Sequence, residues 1–496
     1  MDEDIATGWA NRKDMALLTD LYELTMLYGF WKYGRHQQRT CFEYFFRTLP
    51  PHNGFALFAG LEQLLAYIEN FHFNDTDLEY LHSQGFEPQF LDYLRDFQLK
   101  LDLWSVPEGT VVFPNEPIVR VEGPLGVLQL LETFLLNALN YPTLVATKAA
   151  RVCYAAEGDP VMEFGLRRAQ GPDGGLIGAR AAVIGGCAGT SNVLAAKLFG
   201  VKAMGTHAHS WVMSFDSEIE AFRAYVQAFP NNITLLVDTY DPINSGIPNA
   251  IKVFSELRAQ GATTRGSIRL DSGDLAKLSK EAWRLFREAG FEDPVIVASN
   301  ELDEDLIADL KRQGAKINAW GVGTNLITAS NHPALGGVYK LVAIETGDHW
   351  EPKIKISGNV SKITDPGRKR ILRYYNETNQ PLVDLLYLEG EEVQTDKIKA
   401  YDRENLLKEV VFKAHHFKEL TLRTVVDGNI TAPRPPVSQL QEQAHFNMAK
   451  FPDEYRRLRN PQTYNIFLSP LAAQTKQTLL EAVGFYRSET AASKAD

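Results

Sequence analysis

The sequence predicts an α/β protein: a parallel barrel preceded by an α+β domain and followed by a C-terminal extension. Between about residues 143 and 345, short apolar runs alternate with Ala-rich amphipathic segments. The runs end near Thr206, Asp238, Asp271, Ser299 and Trp320, spaced 32, 33, 28 and 21 residues apart, which is the rhythm of strand–helix units. Polar or glycine-rich residues follow every run. An open doubly wound sheet needs them only at its switch point, so the pattern favours a barrel.

The elements follow in chain order. Residues 14–30 read as a helix with Leu17, Leu18, Leu21, Leu24 and Tyr28 as its apolar stripe. The aromatic run CFEYFFRTL at 41–49 reads as a strand, and FALFAGLEQLLAYIENF at 55–71 as a helix. VVFPNEPIVRVEGP at 111–124 reads as two strands divided by a Pro turn. The helix after Gly123 is expected to stop near Asn140-Tyr141-Pro142. These elements set an N-terminal domain at 1–142, completed by segments after 345, and a barrel at 143–345. Within the barrel, helices are expected at 216–229, 246–259, 274–289 and 301–313, with a further strand at 338–344. The region 346–496 is more polar, with short strands at 371–400 and 409–413 and a helix-rich tail. Gln439 to Gln443 and the final AASKAD are expected to be exposed.

A chain of 496 residues exceeds one ordinary core. Its 51 basic and 62 acidic residues leave a net charge of -11, which repels polyanions and argues against nucleic-acid binding while permitting a local phosphate site. Cys41, Cys153 and Cys187 lie far apart, with no disulfide or zinc spacing. The acidic N-terminus lacks a signal-like segment, and no apolar run reaches the ~20 residues that span a bilayer. A soluble, cytoplasmic protein is expected. Neither G-x-G-x-x-G after the first strand nor a P-loop occurs.

Barrel strand ends converge on one face. The converging set contains Glu163, Arg167, Arg168, Thr206, His207, His209, Asp238, Thr239, Asp241, Arg269, Asp271, Ser272, Asp274, Ser299, Asn300, Glu301, Gly321, Gly323, Thr324 and Asn325. Cations, acids, hydroxyls and glycines in one place suit a phosphorylated sugar with a metal. Within SIRLDSGD at 267–274, Arg269 and Asp271 share a strand face. Asp271 can accept sugar hydroxyls or hold a metal through water, and Asp274 also suits a plain N-cap. Gly321, Gly323 and Thr324 offer N–H groups and a hydroxyl to a phosphate. Phe164 can stack on a planar ring, and Arg167 can grip a carboxylate or phosphate in bidentate fashion. Arg168 suits a surface salt bridge. For His209, metal ligation with His207, general base catalysis and phosphoryl acceptance all remain open at this point. Asp238 or Glu163 would orient it. Tyr22, by pattern alone, is a core or interface tyrosine.

Seven runs in order, LLTDLYELTM (17–26), EFGLRRAQGPDGG (163–175), MGTHAHSWV (204–212), LVDTYD (236–241), IRLDSGD (268–274), GVGTN (321–325) and GGVYKLVAI (336–344), resemble the nicotinate phosphoribosyltransferase family. Lys353-Ile354-Lys355-Ile356-Ser357 and Pro366-Gly367-Arg368-Lys369 are similar as well. The resemblance implies an irregular α/β barrel of the phosphoribosyltransferase type, a discontinuous N-terminal domain and a C-terminal extension. It implies ATP-coupled transfer of phosphoribose from 5-phosphoribosyl 1-diphosphate to nicotinate, with Mg²⁺ required, in the salvage route to NAD.

On this resemblance His209, in the A-H-S part of a G-T-x-A-H-S pattern, is the histidine that ATP phosphorylates, and His207 occupies the variable position. The metal-pair reading weakens accordingly. Tyr22 reaches the pyridine ring from the partner subunit of a homodimer, and Thr206, Arg269 and Thr324 bind ligand. Phe164-Gly165-Leu166-Arg167 matches the Phe-Gly-Tyr-Arg run of related nicotinamide-using enzymes except at Leu166. Ser191 falls where those enzymes carry a carboxamide-facing Asp, which favours a carboxylate substrate. The competing readings are a nicotinamide- or quinolinate-using enzyme of the same architecture, or a non-catalytic metabolite-binding barrel.

Overall fold

A computed structural model describes residues 14–231, 233–394 and 396–484. The stretch 1–13 and the final AASKAD lie outside the described residues. The chain forms two compact units. One runs to Leu144, resumes over Ala334–Pro435 and continues from Glu442; the other comprises Val145–Pro333 and Pro436–Gln441.

The first unit holds a seven-stranded antiparallel sheet, ordered His349–Pro352, Gly337–Thr346, Arg39–Phe46, Val119–Pro124, Asp102–Ser105, Leu422–Val426 and Asn429–Ile430. Arg39–Phe46 is buried along nearly its whole length, which is why its sequence does not alternate. The expected strand at 338–344 forms, but it pairs antiparallel with Arg39–Phe46, with Phe42 stacked on Tyr339 at 4.8 Å. It therefore belongs to this sheet and not to the strand–helix series, so the parallel unit ends earlier than 345. A second, six-stranded sheet runs Glu409–Phe412, Ile398–Asp402, Ile466–Leu468, Pro381–Leu388, Lys369–Tyr375 and His416–Glu419.

Three helix boundaries differ from expectation, each for a local reason. The first helix spans Leu21–Lys32, because Asp20 is extended at its N-cap and its carboxylate accepts from Thr133 Oγ1 at 3.0 Å. Its apolar stripe is only half used: Leu24 and Leu27 are buried, whereas Leu18, Leu21, Tyr22 and Met26 are exposed. The run at 55–71 divides into a strand at Ala56–Leu57 and a helix at Leu61–Asn70. Gly60 separates them at φ 106°, and any Cβ there would lie 2.1 Å from the Ala138 carbonyl oxygen. Pro142 does not end its helix, which runs Glu132–Ala155 and crosses from the first unit into the second. Proline removes one rung, but buried residues on both sides, Ala138, Leu139, Leu144, Val145 and Ala146, hold the helix together.

The second unit is a six-stranded parallel sheet, ordered Gly189–Thr190, Val161–Glu163, Ala319–Val322, Val295–Ala298, Ser267–Leu270 and Leu235–Leu236. Its connecting helices include Glu218–Ala228, Ile247–Ala259, Leu275–Glu288 and Glu304–Arg312, close to the expected spans. The strand expected near Thr206 is reduced to one parallel bridge, Thr190↔Ala203, and a short helix, His209–Met213, intervenes before 218. Ser267 and Arg269 are half-buried on one face while Ile268 and Leu270 are buried on the other. Asp274 caps the next helix, accepting from Lys277 N at 3.0 Å. Gln439 is exposed, but Leu440 is buried and Gln441 Nε2 donates to the Val183 and Cys187 carbonyls at 2.8 Å, so that segment is only partly solvated.

Candidate active site

Arg269 is the hub of the parallel sheet's polar end. Its Nε donates to Ser299 Oγ at 2.8 Å, one terminal nitrogen donates to Thr206 Oγ1 at 2.8 Å, and the other to Asp271 Oδ1 at 3.0 Å. Period-two geometry puts Arg269 and Asp271 on one face, as the sequence predicts. Ser299 Oγ also donates to Asp271 Oδ1. Burial opposes ionisation of Asp271, but the Arg269 guanidinium and the bonds from Ser299 and Arg269 outweigh it. They hold the carboxyl below its ordinary value. Asp271 is therefore an anion at neutral pH.

His209, 40% exposed at its side chain, begins the short helix. Its Nδ1 lies 3.1 Å from Thr239 Oγ1, and its Nε2 lies 3.8 Å from Asp271 Oδ2. The second distance is too long for a hydrogen bond, so Nε2 stays uncommitted. Neither acid expected to orient His209 does so. Asp238 Oδ2 accepts from Asp271 N and Ser272 Oγ, both at 2.7 Å. Glu163 is occupied by Gly165 N and by Thr190 Oγ1. The neutral hydroxyl of Thr239 takes that role. His207 is no metal partner either, because its Nε2 accepts from Leu236 N at 3.1 Å.

Phe164 lies against this network, with the Arg269 guanidinium 5.9 Å from its ring centre. Gly321 sits inside the strand Ala319–Val322, where a Cβ would lie 2.6 Å from the Phe164 ring. Its glycine identity thus serves the packing of Phe164, and the phosphate reading rests on Gly323 and Thr324 at the start of the short helix Thr324–Ile327. Arg167 and Arg168 are exposed in the 3-10 turn Leu166–Arg168. Tyr22 belongs to the other compact unit and is 45% exposed.

Thr190 was not singled out from the sequence, and Asn325 was expected only as one of the strand-end residues. Thr190 donates to Glu163 Oε2 at 2.5 Å while accepting from Asn192 N at 2.9 Å, tying the run after 163 to the run after 190. Burial pushes the Glu163 carboxyl up, partly offset by the bonds from Thr190 and Gly165. Asn325 Nδ2 donates to the Glu301 and Leu302 carbonyls at 3.0 and 3.2 Å. It anchors a loop in which Asn300 and Glu301 both have positive φ. A lone Thr or Asn after a strand gives no sequence signal for such a bond.

Comparisons with known proteins give the family. The Nicotinate phosphoribosyltransferase (NAPRTase) family matches residues 160–390, and its N-terminal and C-terminal domains match 17–140 and 368–476. Nicotinate phosphoribosyltransferase of Bacillus subtilis (strain 168) is 44% identical over 458 residues, covering 92% of this chain and 93% of its own length. That of Homo sapiens is 35% identical over 512 residues, covering 91% and 94%. The crystal structure of human nicotinic acid phosphoribosyltransferase superposes with a TM-score of 0.83 at 33% identity, over 93% of this chain and 99% of that one. The ordered motifs, the parallel unit with its Arg269 hub and this end-to-end similarity converge: the chain belongs to the nicotinate phosphoribosyltransferase family.

Proposed function

We propose that this chain transfers phosphoribose from 5-phosphoribosyl 1-diphosphate to nicotinate, coupled to ATP hydrolysis, in NAD salvage. The pyridine nitrogen attacks the ribose C1, the bond to diphosphate breaks, and nicotinate mononucleotide and pyrophosphate form. The observation that carries the reading is His209, half-exposed with Nε2 uncommitted, beside the Arg269–Asp271–Thr206–Ser299 network. Nδ1–H donation to Thr239 leaves the Nε2 lone pair to attack the terminal phosphorus of ATP as ADP leaves, and water then cleaves the phosphohistidine to free phosphate. Arg269 is pre-oriented by three bonds and faces charge that develops as diphosphate departs. Phe164 offers a flat face to the pyridine ring, and Arg167 a bidentate partner for its carboxylate. Gly323 and Thr324 bind a phosphate.

Magnesium belongs to this reading. Asp271 is an anion, and Asp238 Oδ1 is buried with no hydrogen-bond partner. Among the described residues no group of three or more His, Cys, Asp or Glu could hold a metal. That donor set fits Mg²⁺, which keeps its waters and leans on substrate phosphates. Asp271 would hold it through water. Once bound, it neutralises charge on the diphosphate.

A homodimer completes the reading. Leu18, Leu21, Tyr22 and Met26 form an exposed apolar face on and beside one helix, which a second copy would cover, bringing Tyr22 to its partner's ring site. No helix among the described residues is long and apolar enough to cross a membrane, in keeping with a cytoplasmic enzyme of small molecules.

The test is a substrate panel of nicotinate, nicotinamide and quinolinate with the activated ribose, with and without ATP, run on wild type and on His209→Ala. Nicotinate is expected to be preferred and ATP to stimulate. His209→Ala is expected to lose the stimulation while retaining slow uncoupled transfer. An undiminished ATP response in that variant removes His209 from the coupling, and a nicotinamide or quinolinate preference overturns the substrate.

A further inference from the structure

The parallel sheet has a seam between its two outer strands, Gly189–Thr190 and Leu235–Leu236. On one side, the segment after Val201 joins the sheet through Thr190 N to Lys202 O at 3.0 Å and Met204 N to Thr190 O at 2.9 Å. Among the described residues no backbone rung then links 203–207 to 235–236. The link is a side chain: His207 Nε2 accepts the Leu236 N–H at 3.1 Å.

That imidazole is built in. It is 7% exposed and packs edge-on against Tyr225 at 4.6 Å, with Phe222 at 6.3 Å. Its Nδ1 lies 3.4 Å from the Ala208 carbonyl oxygen, so the Nδ1–H tautomer uses both nitrogens. Burial lowers its pKa to about 4, with Arg269 and His209 adding to the effect against the Ala208 bond, so the ring is neutral and Nε2 is an acceptor at pH 7. One residue before it, Thr206 meets Arg269; two residues after it, His209 meets Thr239. Thr239 itself lies three residues beyond Leu236.

We propose that His207 is a positioning residue, whose ring replaces the missing rung of the barrel and thereby sets Thr206 and His209 against Arg269 and Thr239. Its catalytic consequence rests on the reading of His209 as phosphoryl acceptor. A flat ring alone would fill the space, but only an acceptor ties the 206–209 loop to the strand at 235–236.

Two variants separate these roles. His207→Phe keeps a ring against Tyr225 and removes the acceptor; His207→Gln keeps an acceptor. The readouts are label transfer from γ-labelled ATP to His209, ATP-stimulated kcat, KM for nicotinate, and the thermal midpoint. His207→Phe is expected to lose about tenfold or more in labelling and kcat, with KM within about threefold, as misplacement of a reacting group does. His207→Gln is expected to stay within about threefold of wild type. Wild-type rates in His207→Phe, or equal losses in both variants, overturn the proposal. If His207→Phe does not fold, hydrogen exchange of the Leu236 amide in the wild-type protein decides: protection supports the rung, and exchange at the rate of a free amide overturns it. Absence of label on His209 in the wild type would fail the functional reading alone, because the exchange measurement judges the rung without it.

Discussion

Two arginine–carboxylate networks in this chain use the same chemistry to opposite ends. In the first unit Arg373 grips Asp384 through Nε at 2.8 Å and a terminal nitrogen at 2.5 Å, and Tyr464 OH donates to Asp384 at 3.0 Å. Glu116 lies 3.9 Å from the same guanidinium, and the rings of Phe113, Phe451 and Tyr464 surround it. Asp384 and Glu116 have no exposed side-chain surface, and Arg373 has 3%. Burial, reinforced by Asp384, pushes the Glu116 carboxyl well above its ordinary value. In the parallel unit Arg269 and Asp271 are 12% and 24% exposed, and His209 Nε2 and Asp238 Oδ1 are left without hydrogen bonds. The closed network is sealed from solvent, with Glu116 Oε1 also left without a hydrogen bond, whereas the open one is arranged for charges that arrive with a ligand. Sequence alone does not separate Arg373 from Arg269; solvent access does.

Arg373→Met leaves two carboxyls buried without their cation and is expected to cost roughly 3–5 kcal/mol of stability. Denaturant midpoints measure it, and a cost below about 1 kcal/mol would mean that the network is not structural. Arg269→Ala is expected to lower kcat by roughly 10²–10³, about 3 kcal/mol of transition-state stabilisation, with a much smaller change in unfolding. Wild-type turnover from that variant removes Arg269 from the chemistry, and global unfolding would make it a second Arg373.

Glu23 is a third buried carboxyl, served mainly by neutral donors such as Gln129 Nε2 at 2.8 Å. Burial raises its pKa to about 7, against lowering by Gln129 and Tyr22 and with Glu132 adding to the rise. The folded state holds a proton that the unfolded chain releases above pH ~4.3. Stability therefore falls as pH rises from ~4.3 to about 7 and stays low above that. Glu23→Gln is expected to match wild type near pH 4 and to exceed it by about 1–2 kcal/mol at pH 8, measured by unfolding across pH. A pH-independent difference would contradict the origin assigned to it. Thr239→Val has the smallest expected effect, about 1 kcal/mol or severalfold on the ATP-stimulated rate. A loss as deep as that of His209→Ala would mean that Thr239 does more than orient the ring.

Much of the parallel unit was legible in the sequence because its periods are local. Short apolar strands, intervening helices and polar strand ends are written in adjacent residues, and Arg269 and Asp271 follow from period-two geometry alone. What was not legible depends on long-range pairing. The run 338–344 looks like one more barrel strand, yet the partner that claims it is 39–46, about 300 residues away in sequence. Pro142 looks like a helix end, yet buried residues carry the helix past it. Gly321 looks like a phosphate loop, yet Phe164 explains the missing side chain.

Local periodicity and residue chemistry carry the α/β class, the order of the motifs and the set of side chains gathered at the strand ends, and all three can be read along the chain. How those side chains divide their bonds is a matter of tertiary packing. It gave His209 to Thr239 rather than to an acid, spent Asp238 and Glu163 on backbone and hydroxyl donors, and turned His207 inward to Leu236. Hydrogen-bond partners are set by distances between residues remote in sequence, and those distances exist only once the strands are packed.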